Sequence, residues 1–491
     1  MEADINPRSV INRAIRAVTV LTATAIATVT ATVTPTVTAT ALALAVPPVA
    51  GLPQASAASG RTGPVSVMGV HPSGATYAIE VPRNWNGTVL TFSPGYGQGA
   101  GPQHLPADLG GNAAAQSWLL AHGYALAGTR PYGSGWAVEE TLRASADTLA
   151  AFTQVGGEPT TTLAWGGSMG GAIAAGLAER RPDLVDGALP YCASVAGPVA
   201  MLNQSLDAAF AFKTLLAPGD DAVKLVRLAS DDEEARSVAA ARAVLDAAQQ
   251  TPAGRARIAL AASFAQVSTW SVTGTAEPAP RDWAAQQAQE YAAFTATVFS
   301  PRYPLEQRAG GNFSWNTGVD YRRELRESGR AQQVRALYDS AGLDLDADLA
   351  ALAAAPRVSA DPGAVTYMEN YFTPRGALGV PVLTMHERGD NYPTVTQARA
   401  YSDVVRRAGN QAMLRQAFVD RPGHCRYTGS EFVAAVRTLE NRVTTGRWTD
   451  VDAHRLNALA ARLAAENPDL GAAEFIPYTP GRFLRPHVPE R

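Results

Sequence analysis

The sequence predicts an α/β fold: a mostly parallel central sheet with helices on both faces and a large inserted helical block. Three observations carry this expectation. The stretch Thr161-Thr-Leu-Ala-Trp165-Gly166-Gly167-Ser168-Met169-Gly170-Gly171-Ala172 reads as a buried strand, a glycine-rich turn and the start of a small-residue helix. Two later apolar runs, 380–385 and 412–419, each lead into a polar loop, as strands of an open parallel sheet do at their C-terminal ends. Between these parts, from about residue 198 to residue 364, strand–helix alternation stops and Ala-rich helical segments take over.

Taken in order, residues 1–57 are expected to be an export signal. Arg8, Arg13 and Arg16 make a positive start, an Ala/Val/Thr/Leu stretch follows, and Ala55-Ser56-Ala57 is a small-residue cleavage site. The alternative is a membrane anchor formed by an uncleaved signal. Pro35, Pro47, Pro48 and the many threonines speak against a stable spanning helix, so the expected location is outside the cell. Residues 58–197 are expected to form the first part of the α/β core, 198–370 a helical cap, and 371–491 the second part of the core with a C-terminal tail.

Residues 65–70, 76–81 and 88–92 alternate like antiparallel leading strands, with Asn86-Gly87 as a hairpin turn. A glycine-rich loop follows, Ser93-Pro94-Gly95-Tyr96-Gly97-Gln98-Gly99. Residues 113–122 read as a helix and 124–128 as a strand. The loop after that strand carries Tyr132 and Trp136, read either as substrate-binding aromatics or as loop packing. Residues 138–155 form an amphipathic helix with Glu139, Glu140 and Arg143 on its wet face. Residues 186–191 form the next strand, ended by Cys192. Helices are expected at 203–216, 231–249, 253–267, 283–297 and 330–341. The polar and aromatic stretch 310–321 is read as a structural loop or a substrate contact. A helix at 395–408, a closing helix at 432–443 and a tail helix at 452–464 complete the chain. The tail beyond them is expected on the surface, without a chemical role.

Composition narrows the function. The chain has 491 residues, 46% of them hydrophobic, enough for a large core. Its net charge is −3 and no basic stripe is present, which argues against nucleic acid and against a stable membrane partner. No His, Cys and Asp cluster has zinc-like spacing, and the Gly-x-Ser-x-Gly-Gly turn lacks the Gly-Lys-Ser/Thr ending of a phosphate loop. Neither a metal nor a cofactor is expected.

The chemistry centres on Ser168. In a turn this tight, side chains two residues either side of the serine would collide, and Gly166 and Gly170 remove the collision. The serine is then presented at a helix N-terminus, where backbone N–H groups meet developing negative charge. A lone serine is a weak nucleophile and needs a base and an orienting acid. Of seven histidines, His424 alone combines a position downstream of both the serine and a candidate acid with a loop after a strand. Asp390, in Gly389-Asp390 after the preceding strand, is the candidate acid. His386 is the rival base and Glu387 the rival acid. Ser168 and Asp390 are 222 residues apart, far more than the roughly 30 residues of one strand–helix–strand crossover. That excess is what makes the intervening block an insertion.

Strand-GxSxG-helix, then strand-GD, then strand-GH, resembles the α/β-hydrolase superfamily over most of the chain after the leader. It is similar in particular to secreted actinobacterial members of unassigned substrate. The resemblance implies Ser168 as nucleophile, His424 as general base and then acid, and Asp390 as the group that orients the imidazole. It also implies an oxyanion hole formed by the backbone N–H groups of Tyr96 and Met169, although this chain has Pro94-Gly95 where the family often has His-Gly. Cys192 and Cys425 lie on the same edge of the expected sheet. With an export signal and an even count they are expected to form one disulfide, two separate thiols being the alternative. Such a bridge is similar to the linked serine and histidine loops of tannases and feruloyl esterases, except that here no cysteine adjoins the serine. The expected activity is hydrolysis of a carboxylic ester through an acyl-enzyme. A peptidase of prolyl-oligopeptidase-like type, acting on short peptides, and a non-catalytic binding protein on the same scaffold are the alternatives.

Overall fold

The computed structural model describes residues 63–97, 109–131, 133, 135–299, 301–449 and 451–489. The expected leader at 1–57, the loop residues Gln98 and Gly99, and Tyr132 lie outside the described residues.

The strands are β1 Val65–Val70, β2 Thr76–Val81, β3 Thr88–Ser93, β4 Ala125–Arg130, β5 Thr161–Gly167, β6 Gly187–Tyr191, β7 Val382–Gly389, β8 Leu414–Pro422 and β9 Phe475–Ile476. They form one sheet in the order β1-β2-β4-β3-β5-β6-β7-β8-β9. The six strands from β4 to β8 in that order run parallel, and β1, β2 and β9 are antiparallel additions at the two edges.

Alternation along the strands builds a core on each face. Leu163 and Trp165 of β5 pack with Leu90, Leu126 and Phe432 on one face. Ala164 points to the other, where it meets the helix Met169–Arg180. That helix is buried from Met169 to Ala178, and its small residues let it lie close to the sheet. The helix Val138–Gly156 covers the same side with Val138, Thr141, Ser145, Leu149 and Phe152, spaced three or four apart. The helices Ala113–Ala121 and Gly429–Thr445 cover the opposite face. The latter opens with a capping box, Thr428 with Glu431, and stops at Gly446 in the left-handed region.

Among the described residues, nine helices follow one another between β6 and β7, from Pro198–Leu216 to Pro362–Asn370. They include all five expected helices and four shorter ones. They have a core of their own, with Phe210, Phe212, Phe264, Phe294, Tyr321 and Leu325 at its centre. The 310–321 stretch is partly buried between this block and the sheet-bound core, with Phe313 packed in the latter. Asn312, Ser314 and Asn316 are buried, and the Asn316 amide donates to Tyr321 Oη at 2.9 Å.

Two expectations are corrected. Asn86-Gly87 is not a hairpin turn. β2 pairs with β4, and β3 lies one strand further in, parallel to both its neighbours. The hairpin that joins β1 and β2 turns at His71–Ala75 instead, closed by His71 and Ala75 backbone bonds. Gly87 serves as a docking point: its carbonyl accepts from the Thr160 and Thr161 N–H groups at the mouth of β5. The tail is not merely laid on the surface. Phe475 and Ile476 add a strand to β8. Phe483 and Leu484 are buried. Arg485 reaches Asp207 at 2.5 Å and the Trp315 carbonyl at 2.9 Å, both in the helical block. Local pattern did not show this, because the partners are more than fifty residues away in the chain, and those of Arg485 more than a hundred and fifty.

Candidate active site

Ser168 follows β5 and caps the Met169–Arg180 helix with φ 58° and ψ −123°. A non-glycine residue in this region is strained, and the surrounding backbone holds it there. The Ser168 N–H donates to the Tyr191 carbonyl at 3.1 Å, and its own carbonyl accepts from Gly171, Ala172 and Ser194. The flanking glycines are sterically required. A Cβ on Gly166 would stand 2.5 Å from the Gly170 carbonyl oxygen, and one on Gly170 would stand 2.0 Å from the Ser93 oxygen. The second contact also shows that the loop after β3 rests against the helix N-terminus. Tyr96 lies three residues beyond Ser93 in that loop, and Met169 is the first residue of the helix. The Met169 N–H has no carbonyl to bond inside its own helix.

β7 and β8 run parallel in register, with a shift between Glu387 and Gly389 that brings Gly389 opposite Pro422. Asp390, one residue beyond Gly389, and His424, two beyond Pro422, meet there. His424 Nδ1 lies 2.9 and 3.1 Å from the two Asp390 carboxylate oxygens. Asp390 is buried, and its Oδ1 also accepts the Tyr392 N–H at 2.9 Å. His386 Nε2 lies 3.3 Å from Asp390 Oδ2 and 3.1 Å from the Pro393 carbonyl. His386 thus supports the acid and stays buried, whereas His424 retains 31% of its side-chain exposure.

The electrostatics follow from this arrangement. Burial works to raise the Asp390 pKa, but the charge of His424 and the hydrogen bonds from His386 and His424 outweigh it and hold the carboxyl below the usual range. Burial works to lower the His424 pKa. The Asp390 charge and hydrogen bond, helped by Glu387, overcome it and raise the imidazole above its ordinary value. Burial, with Tyr392 next, pushes the Tyr96 phenol up, so it remains a neutral hydroxyl.

Cys192 and Cys425 form a disulfide, with their Cα atoms 5.3 Å apart. The bridge ties the end of β6 to the histidine loop. It also brings that loop to the nucleophile turn, since a Cβ on Gly167 would stand 3.2 Å from Cys425 Sγ. His424 Nε2 lies 3.5 Å from the same sulfur. Asp390 and His424 are thus in direct contact, and Gly167, the residue before Ser168, lies against the Cys425 sulfur. Among the described residues, Cys192, His424 and Cys425 are a group whose ligand atoms fall within 4.8 Å, but both sulfurs are spent in the disulfide.

Trp136 is 3% exposed, and its indole N–H donates to the Tyr371 carbonyl at 2.6 Å. It packs with Val138, Met169 and Ile173, which favours loop packing over an open substrate wall. Sequence reasoning did not single out Tyr427. Its phenol oxygen accepts the Cys192 N–H at 3.3 Å, and its position two residues after Cys425 was the available signal.

No family model matches the chain. An o-phthalyl amidase from Xanthobacter agilis is 31% identical over 427 residues, which cover 80% of this chain and 90% of that protein. Among solved structures, feruloyl esterase B from Aspergillus oryzae matches with a TM-score of 0.38 and 14% identity, over 79% of this chain and 81% of that one. Tannin acyl hydrolase from Aspergillus niger matches with a TM-score of 0.37 and 14% identity, over 79% of each chain. On the strength of its identity to the amidase along most of both sequences, this chain belongs to the o-phthalyl amidase family and is a hydrolase of the α/β-hydrolase fold.

Proposed function

We propose that the protein is an exported serine hydrolase that transfers the acyl group of a small carboxylic ester or amide to water, through a Ser168 acyl-enzyme. The observation that carries this reading is the Asp390–His424 pair at 2.9 Å beside a serine held in a strained turn at a helix N-terminus. His424 takes the Ser168 proton as the oxygen attacks the carbonyl carbon. Asp390 stabilises the imidazolium so formed. The Tyr96 and Met169 N–H groups receive the oxyanion. His424 then returns the proton to the leaving oxygen or nitrogen, and water releases the acid by the same route. An amide demands more of that proton, because an amine leaves only when protonated; the amidase relative brings this bond into the reading. The helical block, residues 198–370, acts as a cap that screens the acyl group. Export through the leader at 1–57 accords with the disulfide. No helix among the described residues is long and apolar enough to cross a membrane.

The test is a fluorophosphonate probe followed by mapping of the adduct. We expect label on Ser168, with Ser168→Ala losing turnover of activated esters and anilides by about three orders of magnitude or more. A folded chain that takes no label on Ser168 is a binding protein, not this enzyme.

A further inference from the structure

Glu387 is the residue in this region that the proposed chemistry leaves unused. It lies on β7 between His386 and Arg388, and none of it is exposed. Burying a carboxyl is costly unless its oxygens are engaged. One oxygen, Oε1, accepts the Arg426 N–H across the sheet edge, and the Tyr427 phenol donates to the same carboxyl. Arg426 is two residues after His424 and directly follows the bridged Cys425. The Glu387 carboxyl therefore grips the chain just beyond the imidazole.

That grip has something to hold. Cys425 has φ 55° and Cys192 has φ 40°, so both bridge residues sit in the left-handed region that glycine favours. Gly423, just before His424, also has positive φ, and its N–H bonds the Gly389 carbonyl at 3.3 Å. The histidine loop is a tight reversal of residues that would relax if released. Its anchors are Gly389 in front, the disulfide at its crest and Glu387 behind. On the far side, the Tyr427 phenol lies beside the Glu387 carboxyl and accepts the Cys192 N–H. One carboxyl thus contacts the part of the loop that follows the cysteine bridge and faces the group that holds the other end of it.

We infer that Glu387 is a positioning residue, fixing the backbone of the Cys425–Tyr427 turn and thereby holding the His424 imidazole between Asp390 and Ser168. This deepens the proposed function and rests on it. A carboxyl placed there also adds its charge to the field on the imidazole. Burial, then the neighbouring Asp390, push the Glu387 pKa up to about 7, against the opposing pull of His386 and His424 and the Tyr427 phenol. His424 in turn faces Asp390 and Glu387. Removing the Glu387 charge takes away one of the influences that raise His424, so the imidazole of the variant loses its proton at lower pH.

The experiment measures the rate of fluorophosphonate inactivation of the full chain against pH, in wild type, Glu387→Gln and Glu387→Met. Glu387→Gln keeps an oxygen for the Arg426 N–H and is expected to react within about threefold of wild type at alkaline pH. Its acid limb is expected to move down by roughly half a pH unit. Glu387→Met loses the anchor and is expected to react at least about tenfold more slowly, with the saturating concentration of probe unchanged, so the loss falls on the chemical step. Rescue by Gln but not Met distinguishes positioning from a general packing role. A labelled wild type whose rate and pH profile are shared by both variants overturns this inference alone. If the Met variant fails to fold, Glu387→Asp, which keeps the charge but draws it back from the Arg426 N–H, takes its place, and an Asp variant that reacts at the wild-type rate overturns the inference. A wild type that takes no label overturns both this inference and the function beneath it.

Discussion

Buried charge is distributed differently in the sheet-bound half of the molecule and in the helical insertion. In the sheet-bound half the buried carboxylates among the described residues are Glu387, Asp390 and Glu431, gathered around the ends of β7 and β8. The other buried polar side chains of that half are uncharged in kind, mostly threonines and serines, with His71, His386 and Gln397. In the insertion they are spread through the helices: Asp207, Glu290, Glu306, Glu324 and Asp348, together with the buried Arg302. Most have a specific polar partner. Asp348 holds Arg257 and the Tyr338 hydroxyl at 2.8 and 2.9 Å. Asp207 holds Arg485 at 2.5 Å and the Tyr321 hydroxyl at 3.0 Å. Glu290 accepts from Gln333 at 3.0 Å. A sheet fixes its own register through backbone bonds, so its buried carboxylates are confined to one edge, where they fix His424, the Arg426 N–H and the start of the closing helix. Alanine-rich helices slide easily over one another, and charge-assisted side-chain bonds specify which faces meet.

The comparison can be broken first at the tail. Arg485→Ala leaves Asp207 buried without its cation, and the expected cost is about 3–5 kcal/mol. Denaturant unfolding measures it, and hydrogen exchange should place the loss in the insertion while the sheet stays protected. Burial already raises the Asp207 pKa, against Arg485. Without the arginine it rises further, so the deficit of the variant should shrink as pH falls and Asp207 takes up a proton. A deficit independent of pH would mean that lost packing, not unpaired charge, was the cause.

In the sheet-bound half the sensitive positions are steric, not electrostatic. Gly170→Ala drives a Cβ to 2.0 Å from the Ser93 oxygen, and both atoms belong to backbone that cannot swing aside. We expect a loss of about 2–3 kcal/mol with little pH dependence, and loss of probe labelling because the turn must open. Wild-type stability together with wild-type labelling would show that the turn is looser than its geometry implies. The smallest effect sharpens the boundary between the two regions. Trp136→Phe removes the hydrogen bond to the Tyr371 carbonyl and should cost about 1 kcal/mol. KM for small esters should stay unchanged, as befits packing. A raised KM with unchanged stability would return Trp136 to the substrate wall.

The chain's own residue pattern determined the strand–turn–helix around Ser168, the loops carrying Asp390 and His424, and the all-helical insertion. Each is a local signal: a glycine demanded by a turn, an apolar run ending in polar residues, a change from period-two to helical spacing. The Cys192–Cys425 pairing was legible because two cysteines leave one partner each. What only the tertiary structure decided were the long-range choices. β2 passes over β3 to pair with β4, so Asn86-Gly87 makes no hairpin. The tail inserts Phe483, Leu484 and Arg485 into the rest of the molecule. His386 became a support for Asp390, and Glu387 an anchor for Arg426. Local pattern records what a segment buries, but not which distant backbone completes its hydrogen bonds. That is settled only when the strands come into register and the buried polar atoms must find partners.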